Sequence, residues 1–207
     1  MGRTSDANER LMDAALDLIW EESYGAVTID DICKRADVKK GSFYYFFHSK
    51  SDLAVAALER MWNQTWKPRM DESFSPSIDP LTRLTNYLES IYHKQVEIKK
   101  QHGKVLGCPI VSVGSETSTG EGDVNGKIRE ILNRKRRYYE STIRDAIADG
   151  SIEPCDAAEK SVCLAGLIEG IVCQCRIMND PEVSRTLPET ALRMLGAKQP
   201  DTASAKA

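Results

Sequence analysis

The side chains with the most recognisable chemistry lie together between residues 39 and 48. They are basic, hydroxyl and aromatic groups, namely Lys39, Lys40, Ser42, Tyr44, Tyr45 and His48. Such groups donate hydrogen bonds to phosphate and present aromatic edges, and a helix N-terminus would add backbone donors and a positive dipole. The pattern indicates a surface for a phosphate-bearing partner, and a solvated basic face beside an aromatic core explains the charges equally well.

Positive charge is concentrated in the same part of the chain. Residues 34–50 contain five lysines and arginines and one aspartate, a local charge of +4, whereas the formal charge of all 207 residues is −3. The rest of the chain therefore carries a charge of −7. A compact basic patch on an acidic protein is a local electrostatic footprint for a negatively charged partner.

The histidines and cysteines do not form a pattern typical of an enzyme or a metal site. His48, His93 and His102 are far apart, and six cysteines without a secretory signal argue against a disulfide framework. Cys173 and Cys175 lie in a predicted helix, where a two-residue step separates side chains by about 200°. We expect no catalytic residue, metal or cofactor, and interpret most cysteines as small buried hydrophobes.

Cys108 has a more specific interpretation. It follows a basic stretch that contains Lys99, Lys100, His102 and Lys104. Nearby positive charge lowers the pKa of a thiol and raises its thiolate fraction. Cys108 is therefore either a reactive sensor or a buried core residue, and both interpretations stay open.

The elements that must position these residues all have the hydrophobic period of helices. Thr28 with Asp31 and Ser49 with Asp52 have the spacing of capping boxes. The aromatic run 43–47 has the propensity of a strand, but its flanks favour a short helix with its phenylalanines facing the core. Three short helices and one long helix are predicted up to residue 67, followed by loops at 71–80 and 114–126.

The later helices are predicted from similar signals. Asp79 before Pro80 is typical of a helix start, and another helix is expected after Asp156. That second helix has apolar residues around more than one face, so it must bury two sides. No apolar run is expected to be long enough to cross a bilayer, and without an apolar signal segment we expect a cytoplasmic protein with no membrane partner.

The segment from Thr28 to Lys50 resembles the DNA-binding segment of the TetR family of bacterial repressors, closely so over about residues 8–60. The resemblance implies an all-α fold with a three-helix helix-turn-helix domain at 1–52 and a larger ligand-binding and dimerisation domain at 53–207. It also implies residue roles. Phosphate contacts are expected from Thr28, Ser42, Tyr44, His48 and Lys50, and base contacts from Lys39, Lys40 and Tyr45. Phe46 departs from the family, which often has histidine there.

For the second domain, the resemblance implies a variable inducer pocket and a helix pair that joins two subunits. Candidate pocket or sensor residues are Trp62, Trp66, Tyr92, Cys108 and Tyr139. Candidate dimer-interface residues are Leu164, Leu167, Ile168 and Ile171. For the pocket aromatics the alternative is core packing, and for the apolar helix it is the central helix of a monomer.

The resulting hypothesis is a homodimeric repressor that binds a palindromic double-stranded DNA operator and is released by a small-molecule inducer. A repressor that senses electrophiles or oxidants through Cys108 is the alternative, because the stretch around Gly107-Cys108-Pro109 and Glu116 is similar to a branch of the family with such members. A helical adaptor without DNA binding is a third hypothesis, and it leaves the basic surface around Tyr44 unexplained.

Overall fold

The computed structural model describes residues 2–117 and 122–198, with side chains from residue 6 onwards. These residues form ten α-helices and no strand, so the predicted all-α fold is confirmed. The helices are α1 (Gly2–Glu21), α2 (Ile29–Ala36), α3 (Lys40–Phe46), α4 (Lys50–Met61), α5 (Lys67–Ser73), α6 (Pro80–His102), α7 (Pro109–Thr117), α8 (Gly122–Ala148), α9 (Ala157–Met178) and α10 (Leu187–Leu195).

Side-chain caps set the boundaries of the first short helices. The Thr28 hydroxyl accepts a hydrogen bond from the Asp31 N–H at 3.2 Å, and the Asp31 carboxylate accepts one from the Thr28 N–H at 3.0 Å. This reciprocal pair is the predicted capping box, and the hydrogen bonds from Thr28 hold the pKa of Asp31 below its usual value. At the other end, Asp37 adopts the left-handed conformation (φ 52°) and ends α2.

The second predicted capping box is only half present. The Ser49 hydroxyl accepts from the Asp52 N–H at 3.0 Å, as expected. The Asp52 carboxylate accepts instead from the N–H of His48 at 3.0 Å, one residue before the cap. Both bonds still fix the start of α4 directly after α3.

The predicted long fourth helix is interrupted, which corrects the sequence prediction. A π-helical turn at Trp62–Trp66 separates α4 from α5, and the N–H of Lys67 donates to the carbonyl of Trp62. Pro68 explains the wide turn, because proline has no N–H and its ring clashes with the carbonyl four residues earlier. Helix α5 then continues to Ser73, so the loop predicted at 71–80 starts later than expected.

The loop predicted at 114–126 is also largely helical. Helix α7 runs to Thr117 and α8 starts at Gly122, while the intervening 118–121 lie outside the described residues. Gly114 was interpreted as a loop residue, but in the structure it allows close packing of two helices. A Cβ atom there would lie 3.2 Å from Ile128 Cγ2, so glycine lets α7 approach α8 closely.

Two hydrophobic cores share helix α8. The first joins α1–α4 to α7 and the start of α8, through residues that include Phe43, Leu58 and Ile128. The second packs α6, the rest of α8, α9 and α10 around Tyr139 and Leu164. The first core extends along α4 to Trp62.

Helix α9 is apolar on two sides, as the sequence indicates. In the part of the chain that the structure describes, it alone is long and apolar enough to cross a membrane by length and composition, with mean hydropathy 1.5. This corrects the expectation that no run reaches that length. Leu164 and Ile168 are buried in the second core, whereas Leu167 and Ile171 are only partly covered.

The cysteines are more exposed than predicted. Only Cys33 and Cys175 are buried, whereas Cys155, Cys163 and Cys173 are exposed and Cys108 is intermediate. The helical step between Cys173 and Cys175 accounts for their difference, because it turns one side chain toward the core and the other outward.

Candidate nucleic-acid interface and sensor site

Helix α3 has one face fixed in the core and another in solvent. Phe43 is fully buried and Phe47, just after the helix, is 5% exposed, with ring centroids 6.0 Å apart. This anchoring directs the neighbouring aromatics outward, so Tyr44 is 51% exposed and Tyr45 is 75% exposed. Phe46 is half-buried against the same core, with its ring 4.9 Å from that of Tyr45. The position where the family often has histidine is therefore used for packing.

The N-terminal end of α3 presents the two predicted base-contacting lysines. Lys39 is exposed at the cap position, and Lys40 in the first turn is exposed as well. The Lys40 ammonium lies 2.8 Å from Asp30 Oδ1 on α2, and this hydrogen-bonded pair raises the pKa of Lys40. Ser42 is half-exposed in the same turn. The surface is thus polar, cationic and aromatic.

His48 does not share a helical face with Tyr44, although a helix that continued to His48 would place the two side chains one turn apart. Helix α3 ends at Phe46, and Phe47 has extended dihedral angles (φ −135°, ψ 135°). His48 is nevertheless exposed next to the start of α4. Thr28 is exposed too, although its hydroxyl is occupied in the capping box with Asp31.

Lys50 is placed differently from its predicted phosphate role. Its ammonium donates to the carbonyls of Tyr24 at 2.7 Å and Val27 at 2.9 Å, and lies 4.4 Å from the centre of the Tyr24 ring. These contacts tie the α1–α2 connection to α4. In this conformation the charge of Lys50 stabilises the unit formed by α1–α3 and the start of α4, which we call the head, and is not presented on its surface.

A second group of candidate residues lies around a buried ion pair between α8 and α9. Lys135 is 8% exposed, and its ammonium lies 2.9 Å from Glu169 Oε1 and 5.3 Å from the centre of the Trp66 ring. One turn along α8, the hydroxyl of Tyr139 shares a 2.9 Å hydrogen bond with that of Tyr87. We call Lys135, Glu169, Trp66, Tyr87 and Tyr139 the polar cluster.

The sequence analysis missed Lys135 and Glu169. A signal was present, because Lys135 lies between Ile131 and Tyr139 at intervals of four residues and interrupts an apolar stripe. Burial alone would lower the pKa of Lys135, but the neighbouring Tyr139 and Glu169 raise it well above its usual value. Burial raises the pKa of Tyr139 as well. The lysine is therefore charged and the tyrosine is neutral at physiological pH.

Cys108 lies beside the polar cluster, but without the predicted activation. Burial raises the pKa of its thiol to about 11, with a further contribution from Glu169. The basic residues expected to lower it are used elsewhere. Lys99 donates to the Asn179 carbonyl, and Lys104 donates to the Glu21 carbonyl at 3.0 Å. Proximity in sequence did not bring their charges to the sulfur.

Trp62 and Tyr92 lie outside this cluster. Trp62 is buried in the first core, with the Arg134 guanidinium 5.6 Å from its ring. Tyr92 donates from its hydroxyl to Glu182 at 2.6 Å and accepts from Arg185 at 2.6 Å, in a surface network. Of the predicted pocket residues, the structure thus brings together Trp66, Cys108 and Tyr139.

Direct contacts connect the head to the helices around the polar cluster. The carbonyl of Leu106 accepts from Trp20 Nε1 on α1 and from the Arg176 guanidinium on α9, both at 3.1 Å. Arg176 also donates to the Ser112 hydroxyl at 2.6 Å. The end of α1 and the end of α9 are therefore both hydrogen-bonded to the carbonyl of Leu106.

Comparisons with known proteins agree with this architecture. The family model "Bacterial regulatory proteins, tetR family" matches residues 11–57, and "Tetracyclin repressor-like, C-terminal domain" matches residues 80–190. The chain is 29% identical over 147 residues to the transcriptional regulator AcuR of Cereibacter sphaeroides, covering 70% of this chain and 65% of AcuR. It is 26% identical over 153 residues to the HTH-type transcriptional repressor NemR of Escherichia coli K12, covering 72% and 71%.

Solved structures show the same fold. The regulatory protein TetR from Rhodobacter sphaeroides matches with a TM-score of 0.79 and 26% identity, covering 91% of this chain and 98% of that one. The reduced form of E. coli NemR matches with a TM-score of 0.81 and 21% identity, covering 94% and 100%, which shows the fold alone.

The fold and the exposed face of α3 define a helical DNA-binding regulator. The chain belongs to the TetR family of bacterial transcriptional regulators. The family consists of bacterial regulatory proteins, so the chain is a transcriptional regulator.

Proposed function

We propose that the chain is a cytoplasmic, homodimeric repressor that binds a palindromic operator and is released by a small-molecule inducer. The observation that carries the proposal is the exposure of Tyr44 and Tyr45 next to Lys39 on a helix whose other face is anchored by Phe43. Two large aromatic side chains left in solvent on a cationic helix favour a partner that covers them. Residues 1–52 form the DNA-binding part in this proposal, and residues 53–207 form the sensing and dimerisation part.

The proposed contacts use side chains that are exposed or half-exposed in the structure. Tyr44, Ser42, His48 and Thr28 contact phosphates, which fix the position of the protein on the duplex. Lys39, Lys40 and Tyr45 reach base edges and select the sequence. Lys40 must exchange Asp30 for DNA, and the Lys50 contact with phosphate is not retained because its ammonium is bonded to backbone carbonyls.

Dimerisation is proposed through the partly covered face of α9. Leu167 and Ile171 lie on this face, whereas Leu164 and Ile168 belong to the core of the subunit and contribute only by positioning the helix. Gly166 and Gly170 are exposed, and a Cβ atom at either would meet nothing within 4 Å. A face of this kind lets a second helix approach closely, and an apolar helix in water favours such a partner.

The proposed inducer site is the polar cluster. Trp66 belongs to the π-helical turn that ends α4, and the other end of α4 packs in the head. A ligand that contacts Trp66 and Glu169 can therefore act on α4 and on the dimer helix at once. If it binds better to the spacing of heads that does not match the operator, it lowers DNA affinity by the same coupling factor.

The proposed function does not assign sensing to Cys108. A thiol with a pKa near 11 contains little thiolate at physiological pH, and the thiolate is the reactive form. A ligand that binds reversibly in the polar cluster acts at the same place in the fold as Cys108 and needs no covalent step.

The test is a mobility-shift assay with the full-length protein and DNA from upstream of its own gene. Wild type should shift this DNA more strongly than a scrambled duplex of equal length. Lys39→Ala should change which operator variants are preferred, because Lys39 is assigned to base edges. Lys100→Ala removes the same charge from an exposed site on α6 and is the matched control. Equal binding of both duplexes by wild type would contradict operator recognition.

A further inference from the structure

The polar cluster contains hydrogen-bonding groups that the protein does not use. The Lys135 ammonium has three N–H groups, and Glu169 Oε1 accepts from one of them at 2.9 Å. The paired hydroxyls of Tyr87 and Tyr139 contain two O–H groups, and their mutual bond uses only one. Within residues 2–117 and 122–198, two ammonium N–H groups and one phenolic O–H therefore remain as donors.

Two buried acceptors, one in the polar cluster and one on α6, have no hydrogen-bond partner among the described residues. They are Glu169 Oε2 and Gln95 Oε1, and Gln95 is only 4% exposed. Leaving a buried acceptor unsatisfied is costly, so these atoms favour a bound group with its own N–H or O–H.

The packing of α6 against α8 sets the level of Gln95 relative to Lys135 along the helix axes. Arg83 contacts Asp145 at 2.7 Å and Tyr87 contacts Tyr139 at 2.9 Å, so the two helices run antiparallel. Gln95 lies two turns beyond Tyr87, and Lys135 lies one turn from Tyr139 in the same direction. Gln95 is thus about one turn, roughly 5 Å along the helix axis, past the level of Lys135. Side chains lean toward the N-terminus of their helix, so on α8 the side chain of Lys135 leans toward the level of Gln95.

Charge limits the ligand further. Lys135 and Glu169 together carry no net charge, and both are largely removed from water. A carboxylate in this site would lie near Glu169, and an ammonium would lie near Lys135, so either would leave an uncompensated charge in a region of low dielectric. An uncharged ligand avoids this cost, provided that it both donates and accepts hydrogen bonds.

We propose that the polar cluster binds a small uncharged molecule that combines a carbonyl acceptor with an N–H donor, in the manner of a primary carboxamide. The carbonyl oxygen accepts from Lys135, the N–H groups donate to Glu169 Oε2 and Gln95 Oε1, and the apolar part contacts the Trp66 ring. This inference rests on the proposed function only in that the ligand of this site is the inducer.

The experiment compares three probes whose planar head groups have the same shape and different charges. Butyramide, butyrate and butyramidinium are titrated into the full-length protein up to 50 mM, and tryptophan fluorescence reports binding because the Trp66 ring lies beside Lys135. Butyramide should bind at least tenfold more tightly than either ion. Binding of butyrate or butyramidinium as tight as butyramide would overturn the proposal, and so would a lack of response to all three, as expected if the free acceptors bind only water.

Substitutions at Glu169 and Gln95 test whether these residues contact the ligand. Glu169→Gln leaves Lys135 as the only charge, so the ratio of butyrate to butyramide affinity should rise at least tenfold. Gln95→Leu keeps the ion pair and should weaken butyramide, which preserves a test if Glu169→Gln does not fold by circular dichroism. Glu97→Gln removes a carboxylate from an exposed pair with Lys94 and is the control that should change neither. Unchanged probe affinities in both cluster variants would overturn the assignment.

Operator binding, measured on the same preparations, separates this proposal from the proposed function. A protein that shifts its upstream DNA but ignores butyramide retains the regulatory role and loses the ligand assignment. A protein that prefers butyramide in the expected order but binds no operator retains the ligand site and loses the regulatory role.

Discussion

Replacing Phe43 or Tyr45 by alanine should separate the stability of the DNA-binding head from its affinity for DNA. The two residues are two positions apart on α3, but Phe43 is fully buried and Tyr45 is 75% exposed. Phe43→Ala removes a ring that packs at 6.0 Å from Phe47 and leaves a cavity, which costs about 3–5 kcal/mol. Tyr45→Ala removes a side chain that is mostly in solvent, so the free energy of unfolding should change by no more than about 0.5 kcal/mol.

For the folded protein, Tyr45→Ala should have the larger effect on DNA affinity, although Phe43→Ala has the larger effect on stability. A side chain that reaches a base edge contributes about 1–3 kcal/mol, so Tyr45→Ala should weaken operator binding by a factor of roughly 5 to 150. Urea unfolding followed by circular dichroism gives the stability of each variant. Fluorescence anisotropy with labelled operator, at one fixed salt concentration, gives the affinity.

Two results would refute this reasoning. If Tyr45→Ala unfolds at the same low urea concentration as Phe43→Ala, the division of α3 into a buried and an exposed face is wrong. If Tyr45→Ala is stable and binds the operator like wild type, the exposed face of α3 is folded as described but does not contact bases at Tyr45.

Three further predictions test the other assignments. Lys50→Ala should lower the free energy of unfolding by about 1.5–3 kcal/mol, since it removes charged hydrogen bonds to two backbone carbonyls, and urea unfolding that matches wild type would restore a surface role. Leu167→Glu should convert the dimer to a monomer in sedimentation velocity, because it places a charge on the partly covered face of α9; a wild-type monomer at micromolar concentration would defeat the dimer proposal. Cys108 should react with iodoacetamide more slowly than exposed Cys155 at pH 8, and its rate should rise with pH toward 11 as the thiolate forms; equal rates by mass spectrometry would reinstate the sensor.

The sequence predicted the head of the molecule well because its signals are local. Capping at Thr28 and the start of a helix after Asp79 depend on residues within one turn of each other. The aromatic run was assigned correctly to a helix because its flanks were considered with it. The exposure of Tyr44 and Tyr45 then follows from burial of Phe43, since helical geometry fixes which side chains share a face.

Local signals were insufficient where distant residues meet. The loop predicted around Gly114 is helical, and Ile128, fourteen residues later, packs against that glycine. The charges expected to activate Cys108 are close in sequence, but tertiary contacts with Glu21 and Asn179 hold them away from the sulfur. Sequence proximity could not give the direction of these side chains.

The sequence by itself determined the helical class, the family and the exposed basic helix of this regulator, because all three depend on short-range spacing. Tertiary structure alone decided which residues form the polar cluster. Lys135 and Glu169 are 34 residues apart on different helices, and Trp66 comes from a π-helical turn between α4 and α5. The interrupted apolar stripe around Lys135 marks a buried charge on α8 but does not indicate its partner, because only the packing of α8 against α9 brings Glu169 to it.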